Sequence, residues 1–294
     1  MKKLILIHGR SQQNKDAVHL KGEWLKSLND SLSEAGLEMP IEETSVRFPY
    51  YGDTLGQLAA GQSGDDVARV IVRGDHGDEE ELMFQLEVLK EIRSECGITD
   101  RQVDEIAENQ GIERGVLSWP WVYASLQAID KYVPGGSAAS IALATHDVYV
   151  YLKNPGIRDV IEAGVSQALD ESPAVVVAHS LGSVVAYNLL RRDGEKNGWK
   201  VPLLITVGSP LAVRAIRERL KPLQFPTCVG GWYNVRDRRD IVALYPLDSR
   251  SGWNLNPAIE NHEDVLNTTS NHHGISGYLG DSQVAASIHA ALVL

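Results

Sequence analysis

The sequence predicts an α/β fold: a mostly parallel sheet covered by helices on both faces. Three observations predict it. Short runs of Val, Ile and Leu recur along the chain, each run is continuous rather than alternating, and each leads into apolar residues at helical spacing. A strand buried on both faces has such continuous runs, and strand–helix alternation builds parallel sheets.

The elements follow in order. Lys3-Leu4-Ile5-Leu6-Ile7 is the first strand. Residues 17–34 read as a helix, with Val18, Leu25, Leu28 and Leu32 on one face and Gly36 as its stop. Residues 43–48 read as a second strand, ended by Pro49. Leu82, Leu86, Leu89 and Ile92 give a helix over 79–96, and a shorter one is expected at 102–109 after Thr99-Asp100. Residues 132–139 are a turn region, and 147–169 reads as a helix broken near Asn154-Pro155-Gly156. A buried strand at 174–178 precedes a helix at 183–192, and a strand at 203–207 precedes a helix at 212–220. A strand at 231–236 and a closing helix at 281–292, capped by Asp281, complete the chain. No core strand is expected between Leu55 and His146. The expected division is therefore a core of residues 1–54 and 147–294 and a helical lid or cap insertion at 55–146, whose junctions adjoin the carboxyl edge of the sheet.

Composition narrows the function classes. The chain has 294 residues, 28 Lys+Arg against 39 Asp+Glu, and a net charge of −11. An acidic chain is a poor partner for nucleic acid or anionic lipid, which are held mainly by Lys and Arg. Nothing approaches the ~18 continuous apolar residues of a membrane span. The apolar run Leu4-Ile5-Leu6-Ile7 is short of a secretory core of ~7–15 residues. Cys96 and Cys228 are expected as free thiols. These features predict a soluble, cytoplasmic protein.

The chemistry concentrates at Ala178-His179-Ser180-Leu181-Gly182. A small-x-Ser-x-Gly match is weak by itself. Here Val175-Val176-Val177 runs into it and Ser183-Val184-Val185-Ala186 leaves it, which is the strand–turn–helix of a nucleophile elbow. So sharp a turn needs small neighbours around Ser180, and Ala178 and Gly182 supply them. His179 is expected to be structural.

Here the sequence resembles the α/β-hydrolase superfamily, and within it the lipase-like serine esterases. His8-Gly9-Arg10 resembles the turn after the first core strand, Gly208-Ser209-Pro210 the turn after the nucleophile helix and its strand, and Asp240-Ile241-Val242 the segment carrying the acid. Ala178 departs from the pattern's first Gly. The resemblance covers roughly residues 1–50 and 147–294. It implies an α/β-hydrolase fold and an order Ser…Asp…His. Ser180 is then the nucleophile. The acid is Asp240, with Asp237 as the alternative. The base is His273 in the Asn271-His272-His273-Gly274 loop, with His272 and His262 behind it. The oxyanion would rest on the backbone N–H groups of Leu181 and Arg10.

The implied reaction is cleavage of a small-molecule carboxylic ester, lipid esters included, through an acyl-enzyme. No cofactor and no metal are called for. The same parts serve an acyltransferase, an amidase or a thioesterase, and a silent α/β-hydrolase-fold binding protein is the reading from another class. Trp119 and Trp121, in Ser118-Trp119-Pro120-Trp121-Val122-Tyr123, are candidates to wall an acyl pocket; the alternative is that they anchor the insertion to the core.

Overall fold

In the computed structural model the described residues are 2–9, 16–51, 79–112 and 118–294. Six strands form one all-parallel sheet in the order β2-β1-β3-β4-β5-β6. They are β1 (Lys3–Ile7), β2 (Val46–Arg47), β3 (Ala174–His179), β4 (Leu204–Val207), β5 (Trp232–Val235) and β6 (Glu260–His262). The described residues also contain α1 (Ala17–Glu34), α2 (Glu79–Glu95), α3 (Asp100–Glu108), α4 (Trp119–Tyr132), α5 (Ala138–Lys153), α6 (Pro155–Ser166), α7 (Leu181–Asp193), α8 (Arg214–Arg219), α9 (Ile275–Leu279) and α10 (Ser282–Val293). The protein is α/β, as its sequence predicts.

Side-chain alternation along the strands divides the apolar residues between two faces. Leu4, Leu6, Val175 and Val177 join α1, α9 and α10 in one cluster. Ile5, Ile7, Val176 and Ala178 join α2 to α8 in the other. Two of the strands are polar and peripheral. Only Val46–Arg47 of the expected 43–48 strand pairs with β1, because Glu43–Ser45 coils into a 3-10 turn. β6 pairs on the far edge and carries Glu260, Asn261 and His262, which have no apolar pattern to announce them.

The helix expected at 147–169 is two helices that meet at Asn154. Its backbone ends α5, and its side chain accepts from Ile157 N (3.1 Å) to begin α6. Helix α5 starts at Ala138, so it runs straight through the division expected between insertion and core at 146/147. The segment 119–132 is a helix with Pro120 in its first turn, where a missing N–H costs nothing. No helix of the described residues is long and apolar enough to cross a membrane. Both cysteines are free.

This topology sets where a ligand would go. β1 has β2 on one side and β3 on the other, so the chain reverses its direction of travel across the sheet at β1. In open parallel sheets the crevice beyond the carboxyl ends at such a reversal is the binding position. His8 and Gly9 follow β1 there, and Ser180 follows β3.

Candidate active site

β3 turns into α7 within a single residue. Ser180 takes φ 54° and ψ −127°, a conformation favourable only to glycine, and it is held by Ser180 N donating to Val207 O (3.1 Å). The tightness explains its neighbours. A Cβ on Gly182 would lie 2.5 Å from Ile7 O and His8 O, and one on Gly9 would lie 2.8 Å from Ser180 Cβ. The turn after β1 and the turn after β3 therefore touch backbone to backbone. Ser183 Oγ donates to Ser180 O (2.6 Å) and meets Ser209 Oγ (2.7 Å), which ties both turns to the Gly208-Ser209-Pro210 segment.

Three distant segments converge on Ser180. His273 Nε2 lies 3.0 Å from Ser180 Oγ, and His273 Nδ1 lies 2.7 Å from Asp240 Oδ2. A carboxylate only accepts, so Nδ1 carries the proton and Nε2 is left to accept from the serine hydroxyl. Asp240 is buried and fully engaged: Tyr278 OH donates to Oδ2 (2.6 Å) and Val242 N to Oδ1 (2.9 Å). Burial pushes this carboxyl up, but the His273 imidazole and the donated hydrogen bonds outweigh it and hold it below the usual range. Burial beside the same carboxylate drives the Tyr278 phenol well above its ordinary value. Gly208, at φ 56°, faces the group; a Cβ there would stand 3.2 Å from both Asp240 Oδ2 and His273 Cε1.

Comparison of the chain with family models, with curated proteins and with solved structures returns no match. The site is thus read from its own geometry.

The alternatives to these residues have other partners. Asp237 is buried, 1 % exposed, and accepts from Arg239 Nη2 (2.6 Å) and Asn267 N (2.7 Å). His272, at φ 55°, points Nδ1 to Asn267 O (2.9 Å). His262 stacks on Tyr233 at 6.1 Å between centroids. Leu181 opens α7, so its N–H belongs to the first turn, where no intrahelical acceptor exists. Arg10, the other expected oxyanion donor, lies outside the described residues.

Three features of the site were missed or underread in the sequence. Tyr278 carries no signal in its loop-like surroundings. His179, expected to be merely structural, packs its ring 4.7 Å from that of His273 and donates from Nε2 to His273 O (2.8 Å). Burial, and next the neighbouring His273, push His179 down to about 3, so it stays neutral. His8 is also neutral, pushed down to about 4 by burial; its Nδ1 donates to Gly9 O (2.6 Å) and its Nε2 accepts from Tyr51 N (3.1 Å). Tyr51 OH donates in turn to His8 O, clamping the turn after β1.

A narrow apolar cavity opens on Ser180. Its walls include Val88 and Ile92 of α2, Ile141 and Val148 of α5, Ile216 of α8, and Ile241 beside Asp240. Trp119 and Trp121 are not among its lining residues. Trp121 is buried in the cluster shared with the sheet, 6.0 Å from the Arg93 guanidinium, and lines a separate surface cleft. Among the described residues no group of three or more His, Cys, Asp or Glu stands ready to hold a metal ion.

Proposed function

We propose that the chain is a serine hydrolase of the α/β-hydrolase type that cleaves carboxylic esters through an acyl-enzyme. The observation that carries the reading is the unbroken relay from Tyr278 and Val242 through Asp240 and His273 to Ser180, with Ser180 in a strained turn between strand and helix. Strain at a polar residue whose neighbours pin it from several sides is a cost that structure alone does not require.

In this reading His273 takes the Ser180 proton as Oγ attacks the ester carbonyl, then delivers it to the departing alkoxide. Asp240 keeps the imidazole in the tautomer that can accept at Nε2 and stabilises its charged form. The tetrahedral oxyanion takes a hydrogen bond from Leu181 N–H, with Arg10 N–H as its proposed second donor. Water then repeats the sequence on the acyl-Ser180 ester. Helix α2 and the first half of α5 belong to the proposed lid, and their Ile92 and Ile141 line the cavity at the nucleophile.

The test is covalent labelling. A small alkyl fluorophosphonate should label the wild type at Ser180, and Ser180→Ala should lose both the label and ester turnover, the latter by ~10⁴-fold or more. A folded wild type that neither labels nor hydrolyses p-nitrophenyl esters is a binding protein, and the proposal fails.

A further inference from the structure

Resting on that reading, we infer that the substrate's acid half is short and uncharged, acetyl or propionyl in size. The resemblance leaves acyl length open; the cavity limits it.

The argument begins with which half of the ester the cavity holds. The departing oxygen must receive its proton from His273 Nε2, so the alcohol half lies on the imidazole side of Ser180. The cavity is lined by Ser180 but by no residue of the loop that carries His273. It therefore lies on the other side, where the acyl group goes.

Its size then sets the length. The space left for a water-sized group is ≈ 20 Å³, and about 10–15 Å³ by that measure admits a single water. A methyl or methylene group has similar bulk, so an acetyl or propionyl chain fits with little adjustment and a long chain does not. Its walls are firmly packed, because Val88, Ile92, Ile141 and Val148 are all within 2 % of complete burial and belong to the apolar cluster that reaches the sheet.

Its chemistry sets the charge. Apart from Ser180, the only polar side chain in the lining is Thr145, whose hydroxyl is occupied by Gln85 Oε1 (2.6 Å) and Ile141 O (2.8 Å). Among the described residues that line it there is no lysine or arginine to meet a carboxylate or phosphate on the acyl chain. A charged acyl group set against these walls would lose its hydration without replacement, at a cost of several kcal/mol or more.

The experiment compares p-nitrophenyl acetate, butyrate, hexanoate and octanoate, which share one leaving group, on the wild type, Ile141→Ala and Ile241→Ala. The wild type should show kcat/KM at least 100-fold higher for acetate than for hexanoate. Each truncation should raise the hexanoate-to-acetate ratio 10-fold or more. Circular dichroism identifies a variant that has not folded, and Ile92→Val then replaces it with a smaller shift in the same direction. Equal turnover of octanoate and acetate by the wild type overturns the inference, as does a ratio unmoved in folded variants. Either result leaves fluorophosphonate labelling of Ser180 intact. Absence of labelling and of all ester turnover instead removes the hydrolase reading itself.

Discussion

Acidification should destabilise this protein before its carboxylates are neutralised, and two histidines supply the reason. His8 and His179 are held neutral at about 4 and about 3, mainly by desolvation, against an ordinary value of 6.5. In the unfolded chain each takes up a proton as the pH drops through about 6.5. The folded chain cannot follow, so their stabilising contribution is complete above that pH and drains away below it, down towards the folded values. A full-slope loss is about 1.4 kcal/mol per pH unit for each group. Between pH 7 and pH 5 that amounts to about 2 kcal/mol for each imidazole and about 4 kcal/mol for the pair. This is a large part of a typical domain's stability of about 5–15 kcal/mol. Urea unfolding followed by tryptophan fluorescence at pH 7 and pH 5 measures it. In His179→Gln, which keeps an N–H to offer His273 O, the loss over the same interval should shrink by about half. Wild-type stability flat across this range, or an undiminished loss in His179→Gln, would show that these rings are not desolvated and refute the reasoning.

Three other outcomes are expected. Ser180→Gly relieves the positive φ of the turn and should raise stability by about 1 kcal/mol while abolishing turnover, seen as a higher Tm and a dead assay. Tyr278→Phe removes a donor to a buried carboxylate, so stability should drop by about 1.5–3 kcal/mol in denaturant titration, with kcat reduced and KM little changed. Trp121→Ala should cost about 3–5 kcal/mol, because the ring is buried in the core cluster, and leave acyl preference unaltered; a shifted preference with a retained Tm would put the ring beside the substrate.

The central strands and the elbow were legible because buried parallel strands leave no choice of residue. Val175, Val176 and Val177 face opposite sides of the sheet and are all fully buried, so the run is uniformly apolar. Ser180, Asp240 and His273, which the resemblance put in order along the chain with Asp240 ahead of Asp237, are brought within hydrogen-bond distance of one another in the structure. Of the two edge strands, β2 was legible in part, within the expected 43–48, and β6 was not. β6 keeps its place through backbone pairing to β5, while its side chains have no common environment to record. Tyr278 and His179 could not be read for a different reason. Their partners, Asp240 and the His273 carbonyl, lie 38 and 94 residues away in sequence, and nothing near either residue encodes the meeting. For the tryptophans both readings stood open in sequence, because an aromatic cluster looks alike whether it faces a ligand or a helix; Trp121 is buried in the core cluster and neither ring lines the described cavity at Ser180.

The apolar cluster that runs from Phe84 and Ile141 to Ile5 and Val176 is continuous across what sequence suggests are two modules. Excision therefore has a foreseeable result. A shortened chain lacking 55–146 would not be an unroofed enzyme with broader access; it would be a core whose α7 and α8 had lost their own apolar cover, prone to clump before it could be assayed. Attempts to widen the substrate range are better made by trimming single side chains inside the cavity than by transplanting or deleting the helical segment. Any exchange of that segment with another protein would have to carry a matching set of contacts for α7 and α8 along with it.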